Sequence, residues 1–326
     1  MNILALDIGG SFIKSAYLRK NAKPVRSIVP FELWKQPQQL ASTLRALRPK
    51  GRYECAITMT GELCDCFASR RQGVRHIVES AQEVFGSISV FGVRGELLSL
   101  RQAVQRHCEV ASANWAIAPL LLAGDMRDFL LVDIGSTTTD MTPVRKGNIA
   151  NKGWTDFGRL KNGELLYTGY LRTPVQAVAQ AVRVGGACVP LSAETFCQMG
   201  DLYLLLKKIG SKKYNATTPD GKGKTVAAAL RRLARCVLAE PGELSALELL
   251  GIAQQVAKAQ QDAIVAAAVK FGLPLVTTGT GAFILDEVLN QPEGNDGKLA
   301  RHELADRHGY GVDPSLALAL LMERGF

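Results

Sequence analysis

The chain lacks any run of roughly 18 uncharged apolar residues, so no segment has the length and apolarity of a membrane-crossing helix. The first fourteen residues place Asp7 where a secretory leader needs an unbroken apolar stretch, and a cytoplasmic protein with no membrane partner is expected. Cysteine is present but unpatterned. Seven cysteines (55, 64, 66, 108, 188, 197 and 236) are an odd number scattered over a large chain, which argues against a disulfide framework and for reduced thiols. Cys64 and Cys66 form a C-x-C pair, but His76 is the only histidine near them and no second pair follows, so no structural zinc is expected. Biased tracts are absent and only 21% of residues are charged, which excludes a disordered arm on composition. The net charge of +9 suits an anionic partner. The basic residues run from Arg19 to Arg324 without gathering on one helix and without an aromatic-basic RNA-binding pattern, so a small polyanion is expected rather than nucleic acid.

What is present is material for two cores: 326 residues, 47% of them apolar, exceed what one core usually serves. A repeat then shows how they are arranged. The stretch Leu4-Ala5-Leu6-Asp7-Ile8-Gly9-Gly10-Ser11 recurs as Leu130-Leu131-Val132-Asp133-Ile134-Gly135-Ser136-Thr137. Each copy is an apolar run ending in Asp, a turn of glycine and small hydroxyl residues, and a second β-prone run, Phe12 to Leu18 or Thr139 to Val144: a hairpin, made twice. Helical spacing marks residues 37–47, 70–85, 114–123, 192–207, 225–238, 242–271 and 314–322; strands are expected at 54–59 and 164–170, and a loop at 210–224. The expected lobes are 1–124 and 125–326, and whether the last helix packs back on the first lobe is left open.

An aspartate at a strand end followed by Gly, Ser and Thr offers backbone N–H groups and hydroxyls to phosphate oxygens, while its carboxylate can hold hydrated Mg²⁺. Candidate phosphate ligands are Gly9, Gly10, Ser11, Gly135, Ser136, Thr137 and Thr138, with Asp7 and Asp133 for the metal and Lys14 as a point charge. A third element, the strand Pro274 to Thr278 followed by Gly279-Thr280-Gly281 and a helical run from Ala282 to Leu289, is a glycine turn at a helix N-terminus, where anions are favoured. In this order the three elements resemble the two phosphate motifs and the adenosine motif of the actin-like ATPase superfold: a two-lobed α/β architecture, built from a duplicated ribonuclease H-like unit, with a cleft between the lobes.

The likeness narrows on Thr58-Met59-Thr60-Gly61-Glu62-Leu63 with Asp65, Ala111-Ser112-Ala113-Asn114-Trp115, the Gly163 to Gly169 stretch with Arg172-Thr173-Pro174, and Asp201-Leu202-Tyr203 before Asp220-Gly221. These resemble the hydantoinase/oxoprolinase-related family linked to tetrahydromethanopterin one-carbon transfer, which includes the condensing enzyme of methanofuran biosynthesis. The resemblance implies an alkyl transfer: an aminomethylfuran carrying a diphosphate is joined to the phenol oxygen of a tyramine-glutamate, or of tyrosine in a bacterial methylofuran pathway, with release of pyrophosphate. Mg²⁺, N–H donors and Lys14 would neutralise the leaving group. ATP is compatible with the fold but not required by this reaction. A carboxylate must then accept the phenol proton, and Glu62, Asp65, Glu194 and Asp201 are the candidates. Tyr167, Arg172, Lys222 and Lys224 are candidates for holding substrate, with packing or solvation as their ordinary roles. The alternatives are an ATP-dependent small-molecule kinase or hydrolase and, more remotely, a regulatory or filament-forming protein; the oligomeric state is left open, a homo-oligomer included.

Overall fold

The computed structural model describes residues 2–289 and 313–325. They form two compact units, one of residues 2–129, 142–159 and 313–325, the other of 130–141 and 160–289. The division is thus not one cut near Gly124, because residues 142–159 and the last helix join the first unit. Residues 290–312 and 326 of the expected 125–326 lobe lie outside the described residues.

In the first unit six strands lie in the order β3-β2-β1-β4-β5-β6: β1 (Ile3–Ile8), β2 (Phe12–Leu18), β3 (Val25–Pro30), β4 (Glu54–Met59), β5 (Ser89–Phe91) and β6 (Leu97–Leu98). β1 is buried along its whole length, and its residues alternate between two cores as strand geometry requires. Leu4, Leu6 and Ile8 pack with Val74, Ile77 and Val78 on one face, while Ile3 and Ala5 pack with Ile117 and Leu318 on the other. The helices are α1 (Leu40–Arg45), α2 (Arg70–Phe85), α3 (Leu100–Gln105), α4 (His107–Val110) and α5 (Ile117–Ala123). α2 spans the residues its pattern predicts: Ser69 caps it by accepting from the Gln72 amide, Gly86 ends it at φ 80°, and Val74, Ile77, Val78 and Ala81 form its buried stripe.

The second sheet repeats the plan. Its order is β10-β8-β7-β13, with β7 (Phe129–Ile134), β8 (Thr139–Arg145), β10 (Leu165–Leu166) and β13 (Leu275–Thr278), and β9 (Asn148–Ile149) pairs with β8. In each sheet the central strand carries the Asp, its hairpin partner lies on one side, and a parallel strand lies on the other. The register matches too: Asp7 sits opposite Thr58, and Asp133 opposite Thr278. A separate hairpin, β11 (Ala181–Val184) with β12 (Ala187–Pro190), turns on Gly185 and Gly186, both at positive φ. Helices α6 (Asp156–Lys161), α7 (Met199–Leu205), α8 (Val226–Cys236), α9 (Ala246–Ala268), α10 (Asp286–Leu289) and α11 (Pro314–Glu323) complete the fold. Leu130, Val132 and Ile134 of β7 share the second unit's core with Leu202, Leu233, Ile252 and Val256. In the first unit α11 starts at the Asp313 cap, with Pro314 in its first turn, and packs against β1, β2 and α5.

Three expected elements differ. The strand expected over 164–170 is paired only at Leu165–Leu166, because the following residues turn their backbone to the 135–136 turn. The helix expected from Ser192 begins at Met199: the Ser192 amide donates to the Cys236 carbonyl and the Cys197 carbonyl accepts from the Val175 amide, so 192–198 is committed to tertiary pairing. The run from Ala282 to Leu289 is a 3₁₀ turn, Ala282–Ile284, followed by the four-residue α10. Its amides are taken by tight local bonds, Ile284 to Gly281 and Leu285 to Ala282, so the glycine turn does not open a helix with a macrodipole.

Candidate active site

The two aspartate turns are closed and held in the same way. The Gly9 amide donates to the Phe12 carbonyl at 3.0 Å and the Gly135 amide to the Thr138 carbonyl at 2.9 Å. Two flanking segments then strap each turn through its carbonyls. In the first unit the Ile8, Gly10 and Ser11 carbonyls accept from the amides of Thr60, Leu33 and Phe31. In the second, the Ile134 carbonyl accepts from Gly281, Gly135 from Tyr170, and Ser136 from Leu171 and Arg172. With the carbonyls taken, the amides of Gly10, Ser11, Ser136 and Thr137 have no hydrogen-bond partner among the described residues, leaving N–H donors for an anion.

Close approach of backbone makes Gly279 and Gly169 obligatory and leaves little room at Gly10 and Gly61. A Cβ at Gly279, where φ is +86°, would lie 2.2 Å from Asp133 Oδ1, and one at Gly169 would lie 2.5 Å from the Thr137 nitrogen. On the first turn, a Cβ at Gly10 would meet Cys64 Sγ at 2.9 Å, and one at Gly61 would come within 3.2 Å of the Gly9 carbonyl. Behind the second turn, Gln260 of α9 donates to Thr168 Oγ1 at 2.7 Å and to the Gly169 carbonyl at 2.9 Å, and Tyr203 donates to Gln260 Oε1 at 2.6 Å. Phe283, just past the Gly279-Thr280-Gly281 turn, packs edge-on against Tyr170 and Tyr203.

Asp7 is buried and ion-paired to Lys14 at 3.4 Å, and its Oδ1 has no hydrogen-bond partner among the described residues. Burial raises its carboxyl above the ordinary value, with Lys14 pulling the other way. Asp133 is half-buried. Glu62 is more fully buried, at 1% exposure, and the Ser112 hydroxyl donates to its Oε1 at 2.9 Å while Oε2 has no hydrogen-bond partner among the described residues. Burial pushes the Glu62 carboxyl up to about 7, against the pull of the Ser112 hydrogen bond and of Arg70. Ser112 itself is in the left-handed region, at φ 49° and ψ 36°. The backbone of Glu62 is fixed by α2, since a Cβ at Gly73 would lie 2.3 Å from the Glu62 carbonyl oxygen.

The other candidates separate clearly. Asp65 and Glu194 are exposed. Asp201 is fully buried and gripped by both ends of the Arg232 fork, Nη2 to Oδ1 at 2.6 Å and Nε to Oδ2 at 3.0 Å. Arg232 also reaches Asp220 at 3.1 Å, so this network ties α7 and α8 to the 210–224 loop. Tyr167 is 71% exposed, Arg172 and Lys222 are exposed, and Lys224 lies over the Tyr214 ring at 5.4 Å. Thr280 and Ser11 are exposed beside their turns. Ser112 stands in the sequence only as part of the family-like 111–115 stretch, with no role assigned, because its backbone conformation has no local signature; Gln260 was missed, since a helical pattern reads it as a solvent-facing amide.

An aspartate turn closed by an i to i+3 bond, strapped by main-chain donors and made twice on sheets that share the order hairpin partner, central strand, parallel strand, defines a duplicated α/β protein. A profile of the hydantoinase/oxoprolinase family matches residues 54–272, and the chain belongs to that family. Over 335 aligned residues it is 31% identical to the (4-{4-[2-(γ-L-glutamylamino)ethyl]phenoxymethyl}furan-2-yl)methanamine synthase of Methanocaldococcus jannaschii, covering 99% of this chain and 98% of the relative. The synthase of the same name from Methanococcus vannielii is 34% identical over 197 residues, 59% of this chain and 86% of that one. Among solved structures, the ethanolamine utilization protein EutJ from Carboxydothermus hydrogenoformans aligns with a TM-score of 0.44 at 14% identity, covering 98% of this chain and 90% of that one.

Proposed function

We propose that this protein is an alkyl transferase of furan-cofactor assembly, in the methanofuran or methylofuran class. It joins an aminomethylfuran-methyl diphosphate to the phenol oxygen of tyrosine, tyramine or a glutamyl-tyramine, and releases pyrophosphate. The observation that carries this reading is the end-to-end relationship to a synthase whose name describes a phenoxymethyl-furan linkage. The site chemistry is consistent with it. As the bond from the furfuryl carbon to the diphosphate breaks, the electron pair leaves with the diphosphate, and charge builds on oxygens that N–H donors stabilise. Each turn offers donors of that kind, the amides of Gly10 and Ser11 in the first unit and those of Ser136 and Thr137 in the second, fixed before the substrate arrives.

A Mg²⁺ ion carried by the diphosphate fits the first turn. Magnesium usually takes one or two protein carboxylates and completes its shell with water and phosphate oxygens, and Asp7, whose Oδ1 has no hydrogen-bond partner among the described residues, would supply one such ligand. When bound, the metal supplies charge neutralisation of the leaving group. Lys14, held by Asp7, adds a positive charge beside the same turn.

The test is pyrophosphate release from aminomethylfuran-methyl diphosphate with each acceptor, in Mg²⁺ and without ATP, with products identified by mass spectrometry. An ether product names the acceptor. Hydrolysis of added ATP in the presence of metabolites, with no ether formed, would return the chain to a kinase or hydrolase role. Asp7→Ala and Asp133→Ala should each abolish turnover while leaving the circular dichroism spectrum intact, and a variant that keeps its activity removes that aspartate from the chemistry.

A further inference from the structure

We infer that Glu62 is the group that takes the phenol proton, and that Ser112, held in a left-handed backbone conformation, is the residue that positions it. This rests on the transferase reading above. Four carboxylates compete for the role, and their surroundings distinguish them. Asp65 and Glu194 are exposed, with side chains in solvent rather than enclosed beside the first turn. Asp201 has both oxygens committed to Arg232.

Glu62 alone among the four combines burial, an oxygen without a partner, and a carboxyl raised to about 7. A base poised there removes a phenol proton far more readily than one near 4. Its place in the chain supports the role. Gly61 packs on Gly9 of the first aspartate turn, so Glu62 follows directly from a residue in contact with the proposed diphosphate site.

The groups facing Glu62 come from three elements. They are the Ser112 hydroxyl from the segment after α4, Arg70 from α2, and Cys64 from the turn after the 61–63 3₁₀ helix. Among the described residues the Ser112 hydroxyl is the one side chain that hydrogen-bonds Glu62, and Ser112 holds a strained backbone beside it, which is a pattern expected where local strain serves a site. Its bond to Oε1 leaves Oε2 as the oxygen that accepts the proton. In the step, the phenol O–H proton passes to Glu62, the phenol oxygen bonds to the furfuryl carbon, and the carbon–oxygen bond to diphosphate breaks with its electron pair on the diphosphate. Glu62 then returns the proton to water.

The test uses the full chain with Mg²⁺ and measures kcat/KM for ether formation against pH, beside a carbon-13 titration of the glutamate carboxyl groups of the free protein. Wild type should lose activity below a limb near pH 7, with one carboxyl titrating at the same pH and missing from Glu62→Gln. That variant should lose about 100-fold or more in kcat. Ser112→Ala and Ser112→Gly should both move the limb and the titration upward by about one unit, because the hydrogen bond that favours the carboxylate is gone. A purely structural Ser112 predicts the opposite pattern: glycine relieves the left-handed strain, so the protein gains stability while the limb stays put. Should Glu62→Gln fail to fold, the two Ser112 variants decide the matter.

Near-wild-type activity in Glu62→Gln overturns the base, and an unmoved limb and titration in both Ser112 variants overturn the positioning role. If wild type forms no ether with any acceptor, the reaction and the base role fall together. The carboxyl titration then still upholds or overturns the Ser112 to Glu62 coupling on its own.

Discussion

At the scale of single residues, two environments give measurable consequences. The Glu62 carboxyl lies near 7 in the folded protein and at its ordinary 4.5 when exposed, so the folded state holds the proton more tightly. Stability therefore falls as pH rises from about 4.5 to about 7, and the deficit, of the order of 3 kcal/mol, stays constant above that range. Glu62→Gln should accordingly be more stable than wild type at pH 8 and equal to it below about pH 4.5, as read by urea unfolding at the two pH values. A difference that does not change with pH would mean that Glu62 is not raised. Gly279 is the second case. Alanine there must adopt φ +86° and place its Cβ 2.2 Å from Asp133 Oδ1. Gly279→Ala should lose about 1–3 kcal/mol or more in thermal unfolding, together with most of the pyrophosphate release.

At the scale of elements, α9 supports the second turn through one side chain. Gln260 holds Thr168 and the Gly169 carbonyl, and Gly169 lies against the Ser136 and Thr137 backbone. Gln260→Leu keeps the volume but leaves Thr168 Oγ1 without this donor and the Gly169 carbonyl with the Thr173 hydroxyl alone, a cost of about 1–3 kcal/mol, and turnover should fall more than substrate affinity. Scanning calorimetry with steady-state kinetics checks both, and an unchanged kcat would separate α9 from the turn. Elements set by local pattern were legible in the sequence: β4 and α2 begin and end where apolar period, caps and glycine place them. The edge strand β3 was not, because its exposed residues make no buried stripe and its strand state comes from pairing with β2. The 192–198 segment has helical spacing, but its main chain is taken by Val175 and Cys236. The same divide runs through the site. Asp-Gly turns declare themselves because glycine is sterically required there, whereas selecting Glu62 over Asp65 depends on burial, and Ser112 acts through a conformation that no spacing encodes.

At the scale of the whole molecule, the first unit is closed by chain from both ends of the sequence. α11 places Leu316, Ala317, Leu318, Ala319 and Leu321 in the core that contains Ile3 and Ala5 of β1. Ending the chain before Asp313 should therefore unfold the first unit, whereas Leu318→Ala, with the helix intact, should cost about 2–5 kcal/mol and leave the protein folded. Denaturant melts followed by tryptophan fluorescence report this unit well, since Trp34, Trp115 and Trp154 all lie within it. Finally, each aspartate turn is fixed by main-chain hydrogen bonds to two separate flanking segments, with few side chains involved. A shape written in the backbone can be inherited while the residues around it change. Ser11, Arg172 and Thr280 stand exposed beside turns whose geometry does not depend on their side chains, so these positions can change without the turns being refolded.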